Sequence, residues 1–270
     1  MTNLSYGLTE ASECSSDLDI YLEEISLQGY TVIKSVFSIQ KLPVIREKIY
    51  TIYRQQELKI GREALMKIGD ENICRCPMAY DRDFVEYATN NIFMTISEYF
   101  LGNYFILSVQ NANISKPNLK HVQAAWHRDL PYQNFTTSKP LAINFLVAID
   151  DFTVDNGGVV VLPFSHKMEA MPSKEYIERH AKIITAKAGD VISFDSMLIH
   201  RAGVNRSASD RCSFNHMYTR PFIKQQYDYA RLMKEMGTLD QSAYQLSGAS
   251  SRTAHDDVDW REVRKEKMGL

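Results

Sequence analysis

Residues 188–203 read "AGDVISFDSMLIHRAG", and this run sets the architecture. A turn signal at Gly189 and Asp190 opens an apolar, strand-like stretch, and His200 stands at its far end. Runs of the same texture lie on both sides: "YFILSVQNANI" (104–114), "HVQAAWHRD" (121–129), "LAINFLVAID" (141–150), "GGVVVLP" (157–163), "KIITAKAGDVISF" (182–194) and "RCSFNHMYTRPF" (211–222). They are rich in β-branched and aromatic residues, are separated by turn signals such as "DNGG" and "AGD", and have no long helical pattern between them. At least six strands are predicted, in a sheet closed on itself or two sheets packed face to face.

Helices flank this mainly β core. Leu18, Leu22 and Ile25 recur at helical spacing over 17–28 behind an acidic first turn, and Gly29 follows where the helix would end. "YTVIKSVF" (30–37) reads as a strand. Ser38 is placed to cap a second helix carrying Leu42, Ile45, Ile49 and Ile52, with Pro43 in its first turn. A third helix is predicted over 87–101, ended by Gly102. The tail begins with a helical pattern at 223–236, passes through a polar loop at 246–257 and ends in a charged segment. The chain therefore divides into a flexible start (1–16), a helical region with an opening strand (17–103), the β core (104–222) and a helical tail (223–270) that packs, closes as a lid or makes a dimer contact.

At 270 residues, with 44% hydrophobic and 24% charged residues, the chain is expected to be one globular domain, a monomer or homodimer. The formal net charge of −2, without a basic run, points away from nucleic acid and anionic membranes and toward a small-molecule partner. The first residues lack a basic segment followed by an apolar one, and no stretch approaches 18 apolar residues, so a soluble, cytoplasmic protein is expected. Cys14, Cys74, Cys76 and Cys212 have no disulfide-scaffold spacing and read as reduced, structural thiols.

The chemistry begins at "AWHRD" (125–129). In an extended strand His127 and Asp129 share a face while Arg128 points away. Seven histidines would produce a chance His-x-Asp roughly 0.4 times at ordinary composition, so the pair needs a partner. His200, on a distant strand that a barrel would bring alongside, supplies one. Two histidines and a carboxylate leave three positions open, the arrangement of non-haem Fe(II) oxygenases. A 2-oxo acid chelating such a metal would direct a second carboxylate into the barrel, where it needs a fixed cation. Arg211, eleven residues beyond His200, offers a guanidinium that grips a carboxylate through two parallel hydrogen bonds, and Ser213 shares its face.

Together, "WHRD", "DDFTVDNGGVVVLPFSHK" (150–167), "AGDVISFDSMLIHRAG", Arg211 at its offset and the early "LQGYTVIKSVFS" (27–38) resemble the phytanoyl-CoA dioxygenase family of Fe(II)- and 2-oxoglutarate-dependent oxygenases, over about residues 17–222. The resemblance implies a double-stranded β-helix, the cupin-like jelly roll, in the 104–222 core. It implies His127, Asp129 and His200 as iron ligands and Arg211 as the clamp on the 2-oxoglutarate C5 carboxylate. It further implies Gln110, Asn113 and Asn144 as contacts to 2-oxoglutarate or substrate. Two departures stand out: Phe164 in "LPFSH", where relatives commonly have glycine, and Ala202, where they often carry a hydroxyl. Halogenating relatives replace the carboxylate ligand with a small residue, so Asp129 points to hydroxylation or another oxidation.

His166 falls in a family turn and reads as structural. His121 and His216 read as histidines in or near the sheet, and His180 and His255 as peripheral. Trp126, Tyr132 and Phe135 read as packing, yet "DLPYQNFTTSK" (129–139) would rim the site, making Tyr132, Gln133 and Asn134 substrate contacts together with the loop "CRCPMAYDRDF" (74–84). The expected activity uses Fe(II), 2-oxoglutarate and O₂ to hydroxylate an unactivated C–H bond of a small polar metabolite or natural-product intermediate, with succinate and CO₂ as coproducts; desaturation, ring closure and epimerisation begin the same way. The rivals are a non-catalytic cupin-like metal-binding module and a zinc or manganese enzyme on the same ligands. Neither requires Arg211.

Overall fold

Ser16 starts the first helix, α1 (Asp17–Gln28): its hydroxyl accepts from the Asp19 amide, and the Asp19 carboxylate accepts from the Ser16 amide. The computed structural model describes residues 13–119, 122–130, 135–237 and 239–269. Gly29 ends α1 at φ +92°, where a Cβ would stand 2.6 Å from the His166 ring and 2.7 Å from Leu198. The chain turns there into β1 (Tyr30–Ile33). In α2 (Leu42–Ile60) the predicted face of Leu42, Ile45, Ile49 and Ile52 is buried, with Pro43 in the first turn. Ser38 does not cap this helix. It lies one turn upstream, where its carbonyl accepts from the Lys41 amide, and Lys41 is itself helical in conformation.

After α3 (Arg62–Lys67) and β2 (Ile73–Arg75) come α4 (Asp83–Ala88) and α5 (Asn91–Leu101). The single helix predicted over 87–101 is thus two pieces. The Asn90 side chain accepts from the Ile92 amide and opens a new helix, which asparagine does well because its short side chain reaches the unpaired first-turn amides. β3 (Ile106–Ser115), β4 (Ala142–Ala148), β5 (Val159–Val161), α6 (Lys174–His180), β6 (Lys182–Ile184), β7 (Val191–Asp195), β8 (His200–Arg201) and β9 (Arg211–Thr219) follow, and α7 (Tyr229–Glu235), α8 (Gln241–Ser247) and α9 (Asp257–Met268) finish the chain. The tail helix starts at 229 rather than 223 because Asp228 caps it; before that, the Gln226 amide and the Gln225 side chain bond to the Ser108 and Leu107 carbonyls of β3. The predicted polar loop at 246–257 begins inside α8.

Among the described residues the strands form two antiparallel sheets, one of six in the order β1-β7-β4-β9-β3-β2 and one of three in the order β6-β5-β8. This is the jelly roll, with the predicted 182–194 strand broken at its "AGD" turn so that it serves both sheets. Ile143, Phe145, Val147, Phe214 and Tyr218 pack the outer face of the large sheet against α2, α4 and α5, with Phe93 stacked on Phe145 at 4.5 Å. Between the sheets lie Phe152, Val159, Val161, Ile184, Ile192, Phe194 and Leu198. Each such side chain contributes about 1.5–3 kcal/mol by burial. Cys74, Cys76 and Cys212 are buried free thiols and Cys14 is exposed. Among the described residues no helix is long and apolar enough to cross a membrane.

Candidate metal centre

Of the strand predicted over 121–129, the described residues 122–129 do not form one. A tight turn occupies Val122–Ala124, and the segment then makes one reciprocal bridge: the His127 amide donates to the His200 carbonyl and the His200 amide to the His127 carbonyl, each at 3.0 Å. The Asp129 amide donates to the Ser196 carbonyl at 3.0 Å. These bonds bring the two ends of the ligand set together without a ladder.

Both imidazoles are oriented by the backbone. His127 Nδ1 lies 2.8 Å from the Ala125 carbonyl and His200 Nδ1 lies 2.9 Å from the Leu198 carbonyl, which places the ring proton on Nδ1 and leaves Nε2 as the lone-pair donor. Asp129 Oδ1 stands 3.5 Å from His127 Nε2 and 3.6 Å from His200 Nε2, and the three donor atoms lie within 4.8 Å of one another. The buried Nε2 of His127 has no hydrogen-bond partner. Burial alone would raise the Asp129 carboxyl, but the neighbouring His200 and His127 hold it below the usual carboxylate range. Burial keeps His200 below its ordinary value, while at His127 the Asp129 carboxylate more than offsets burial and raises it. Two imidazole nitrogens and one carboxylate oxygen, converging with uncommitted space on one side, fit Fe(II).

Supporting groups surround the triad. Arg128 points away from it and donates from Nε to the Met197 carbonyl at 2.9 Å and from Nη1 to the Glu169 carbonyl at 3.2 Å, with the Met168 carbonyl as a further acceptor. It fastens the 165–169 turn to the segment that leads to His200. Ser165 Oγ accepts from the Ile199 amide at 2.8 Å, one residue before His200.

The triad opens into a cavity whose polar wall includes Asn113, Gln123, Arg211, Ser213 and Asn215 and whose apolar wall includes Leu146, Val159 and Phe194. Arg211 is 5% exposed, donates from Nη1 to the Gly157 carbonyl at 2.6 Å and lies 4.1 Å over the Phe152 ring. Its Nε has no partner, and among the described residues it forms no ion pair. Burial lowers its guanidinium to about 10, so it remains charged at neutral pH. The Gly157 carbonyl is fixed where its turn crosses closely against the segment after β8: a Cβ at Gly157 would meet the Gly203 carbonyl at 2.6 Å, and one at Gly203 would meet the Gly158 carbonyl at 2.3 Å.

Of the predicted residues, His127, Asp129, His200, Arg211, Ser213 and Asn113 meet around this cavity. Gln110 does not. Positions 110 and 113 have opposite parity on β3, so Gln110 faces the helices: it accepts from the Met78 amide, donates to the Phe84 carbonyl and meets His216 Nε2 at 2.8 Å. Asn144 does not line the cavity either, because its amide is taken by Asp129 Oδ2 at 2.8 Å and Ser196 Oγ at 2.7 Å. Tyr132, Gln133, Asn134 and His121 lie outside the described residues. No residue of 74–84 lines the cavity; Arg75 belongs to the β2 edge and Met78 to the core.

His166 is buried under α1 with Nε2 3.2 Å from the Ser26 carbonyl, His216 is in the core, and His180 and His255 are exposed. Trp126 packs on Leu162, Ile177 and Ile199, and Phe135 on Leu130 and Met217. Ala202 lines the cavity, and its amide donates to the Gln123 carbonyl at 2.8 Å. Gln123 and Asn215 escaped the sequence reading. Asn215 had a signal, since it continues the alternation of Arg211 and Ser213; Gln123, on an irregular turn, had none.

Residues 25–213 match the family model of phytanoyl-CoA dioxygenase (PhyH). The chain is 33% identical over 249 residues to an uncharacterized protein of Mycobacterium tuberculosis, covering 89% of this chain and 90% of the relative. Among solved structures, EctD from S. alaskensis with 2-oxoglutarate and 5-hydroxyectoine superposes with a TM-score of 0.63 at 20% identity, covering 80% of this chain and 79% of EctD. The α-ketoglutarate-dependent epimerase SnoN from nogalamycin biosynthesis does so with a TM-score of 0.56 at 18% identity, covering 76% and 83%. These two likenesses are likenesses of fold.

Proposed function

The chain belongs to the phytanoyl-CoA dioxygenase family of Fe(II)- and 2-oxoglutarate-dependent oxygenases, and we propose that it hydroxylates an unactivated C–H bond of a small polar molecule. In this reading His127, Asp129 and His200 hold Fe(II), and Arg211 with Ser213 receives the far carboxylate of 2-oxoglutarate. The bound metal supplies the O₂ chemistry that couples decarboxylation of 2-oxoglutarate to succinate and CO₂ with oxygen transfer to the substrate. The chain's own groups orient and exclude. The Nδ1–H bonds aim both imidazoles, Arg211 sets the direction of the cosubstrate, and Leu146, Val159 and Phe194 keep that side of the cavity dry.

The observation that carries this reading is Arg211. A buried guanidinium whose Nε is unsatisfied costs several kcal/mol unless an anion joins it. It faces the same cavity as the triad, which suits a ligand with a carboxylate at each end. The buried Oδ1 of Asn215, also without a partner, favours a substrate that presents a hydroxyl or N–H donor to the same wall.

Anaerobic titration of the Fe(II)-loaded protein with 2-oxoglutarate tests the reading through the visible charge-transfer band of the chelate. Wild type should develop the band, and Arg211→Ala should need at least about 30-fold more 2-oxoglutarate, because removing one partner of a buried charge pair costs roughly 2–5 kcal/mol. A folded, iron-loaded wild type that gives no band would sink the proposal.

A further inference from the structure

We propose that Asn144 and Asn215 form a directional amide relay that fixes which oxygen of Asp129 is offered to the metal. The inference rests on the metal reading above. Asn144 Nδ2 donates to Asp129 Oδ2 at 2.8 Å and also reaches Ser196 Oγ at 2.7 Å. That orientation leaves Asn144 Oδ1 as an acceptor, and Asn215 Nδ2 supplies the donor at 3.1 Å. Asn215 is thereby fixed in turn, with its own Oδ1 left over at the cavity wall. One carboxylate sets the polarity of two amides in sequence.

The consequence is a carboxylate with one oxygen engaged by protein and the other, Oδ1, turned to both Nε2 atoms. If both oxygens were free to turn inward, the carboxylate would occupy a second position beside the cation, one of those that 2-oxoglutarate and O₂ require. Asn144 and Ser196 are fully buried, where a hydrogen bond is electrostatically stronger than in water and an unmade one costs more. Asn144 is thus a positioning residue for the ligand set.

Mn(II) binding to the full-length chain, followed by the loss of its aqueous EPR signal, provides a readout that a merely structural asparagine would leave unmoved. Asn144→Leu, near-isosteric and without a donor, should weaken Mn(II) binding by about 10–100-fold while circular dichroism keeps the wild-type form. Asn215→Leu keeps the Asn144–Asp129 contact but removes the donor to Asn144 Oδ1, so it should weaken binding by a smaller factor and add nothing in the double variant. Unchanged Mn(II) affinity in Asn144→Leu, or additive losses in the double variant, would overturn the relay. If Asn144→Leu does not fold, Asn215→Leu decides the question alone, and wild-type affinity there overturns the relay. A wild type that binds no Mn(II) removes the metal reading and the relay with it. An intact 2-oxoglutarate band alongside unmoved Mn(II) affinities removes the relay only.

Discussion

Phe164 stands at φ +67° and ψ −4°, the left-handed region that suits glycine, and its side chain is 57% exposed. The turn of this phenylalanine matches one a glycine would make, at a cost of about 1–2 kcal/mol that little burial offsets. Phe164→Gly should raise stability by up to about 1 kcal/mol after the extra unfolded-chain entropy of glycine, whereas Phe164→Val should lower it; thermal unfolding by circular dichroism reads both. Gln110 makes a contrasting case. Gln110→Leu strands the Met78 amide and the Phe84 carbonyl in the core and should cost about 2–4 kcal/mol in urea unfolding. The 2-oxoglutarate needed for the charge-transfer band should not change; a shift there would return Gln110 to the site. Strand parity separates 110 from 113 and joins 211, 213 and 215, so these placements could be read from the sequence, although Gln110 was expected at the site beside Asn113 and Asn215 was not expected there. The pairing of Asn144 with Asp129 was not, because it depends on a turn that has no repeating pattern.

The "DNGG" turn and Gly203, just after β8, cross with no room for a side chain, and the same crossing holds the carbonyl that Arg211 uses. Gly203→Ala therefore pushes on the Gly158 carbonyl and moves the guanidinium indirectly. It should lower the melting temperature and also raise the 2-oxoglutarate requirement of an otherwise intact metal site, and a normal requirement would show that the carbonyl does not set the cation's position. The "DNGG" turn announced itself through its glycines, whereas the segment after β8 did not. Helix faces were equally plain, since the buried stripe of α2 follows directly from the spacing of Leu42, Ile45, Ile49 and Ile52. Boundaries were harder. Asn90 competes with a helical pattern that runs across it, and 122–129, rich in strand-forming residues, is held by a single bridge instead of a ladder.

Among the described residues the jelly roll buries two histidines in neutral form away from the candidate metal centre. Burial lowers His166 to about 4 and His216 to about 3. Their folded values lie below the ordinary one near 6.5, so the stability they permit is complete above about pH 6.5 and is lost as pH falls and the unfolded chain takes up protons first. Through pH 6 to 4.5 the loss should approach roughly 2.7 kcal/mol per pH unit for two protons, and His166→Gln should reduce that slope by up to half in urea unfolding measured across this range. The two-sheet architecture was legible because short strands with turn signals leave few alternatives, whereas the pairing order joins residues too distant in sequence for any local pattern to report. The reciprocal bridge between His127 and His200 has a thermodynamic consequence for the molecule. In the metal reading proposed above, His127 and His200 are joined through backbone hydrogen bonds and not only through the ion, so loading is expected to be capture rather than coupled folding. Calorimetry should then record a small heat-capacity change, the melting temperature should climb with free metal by mass action, about 2.7 kcal/mol at a hundredfold excess over Kd, and a chelator should strip the ion from a chain that stays folded.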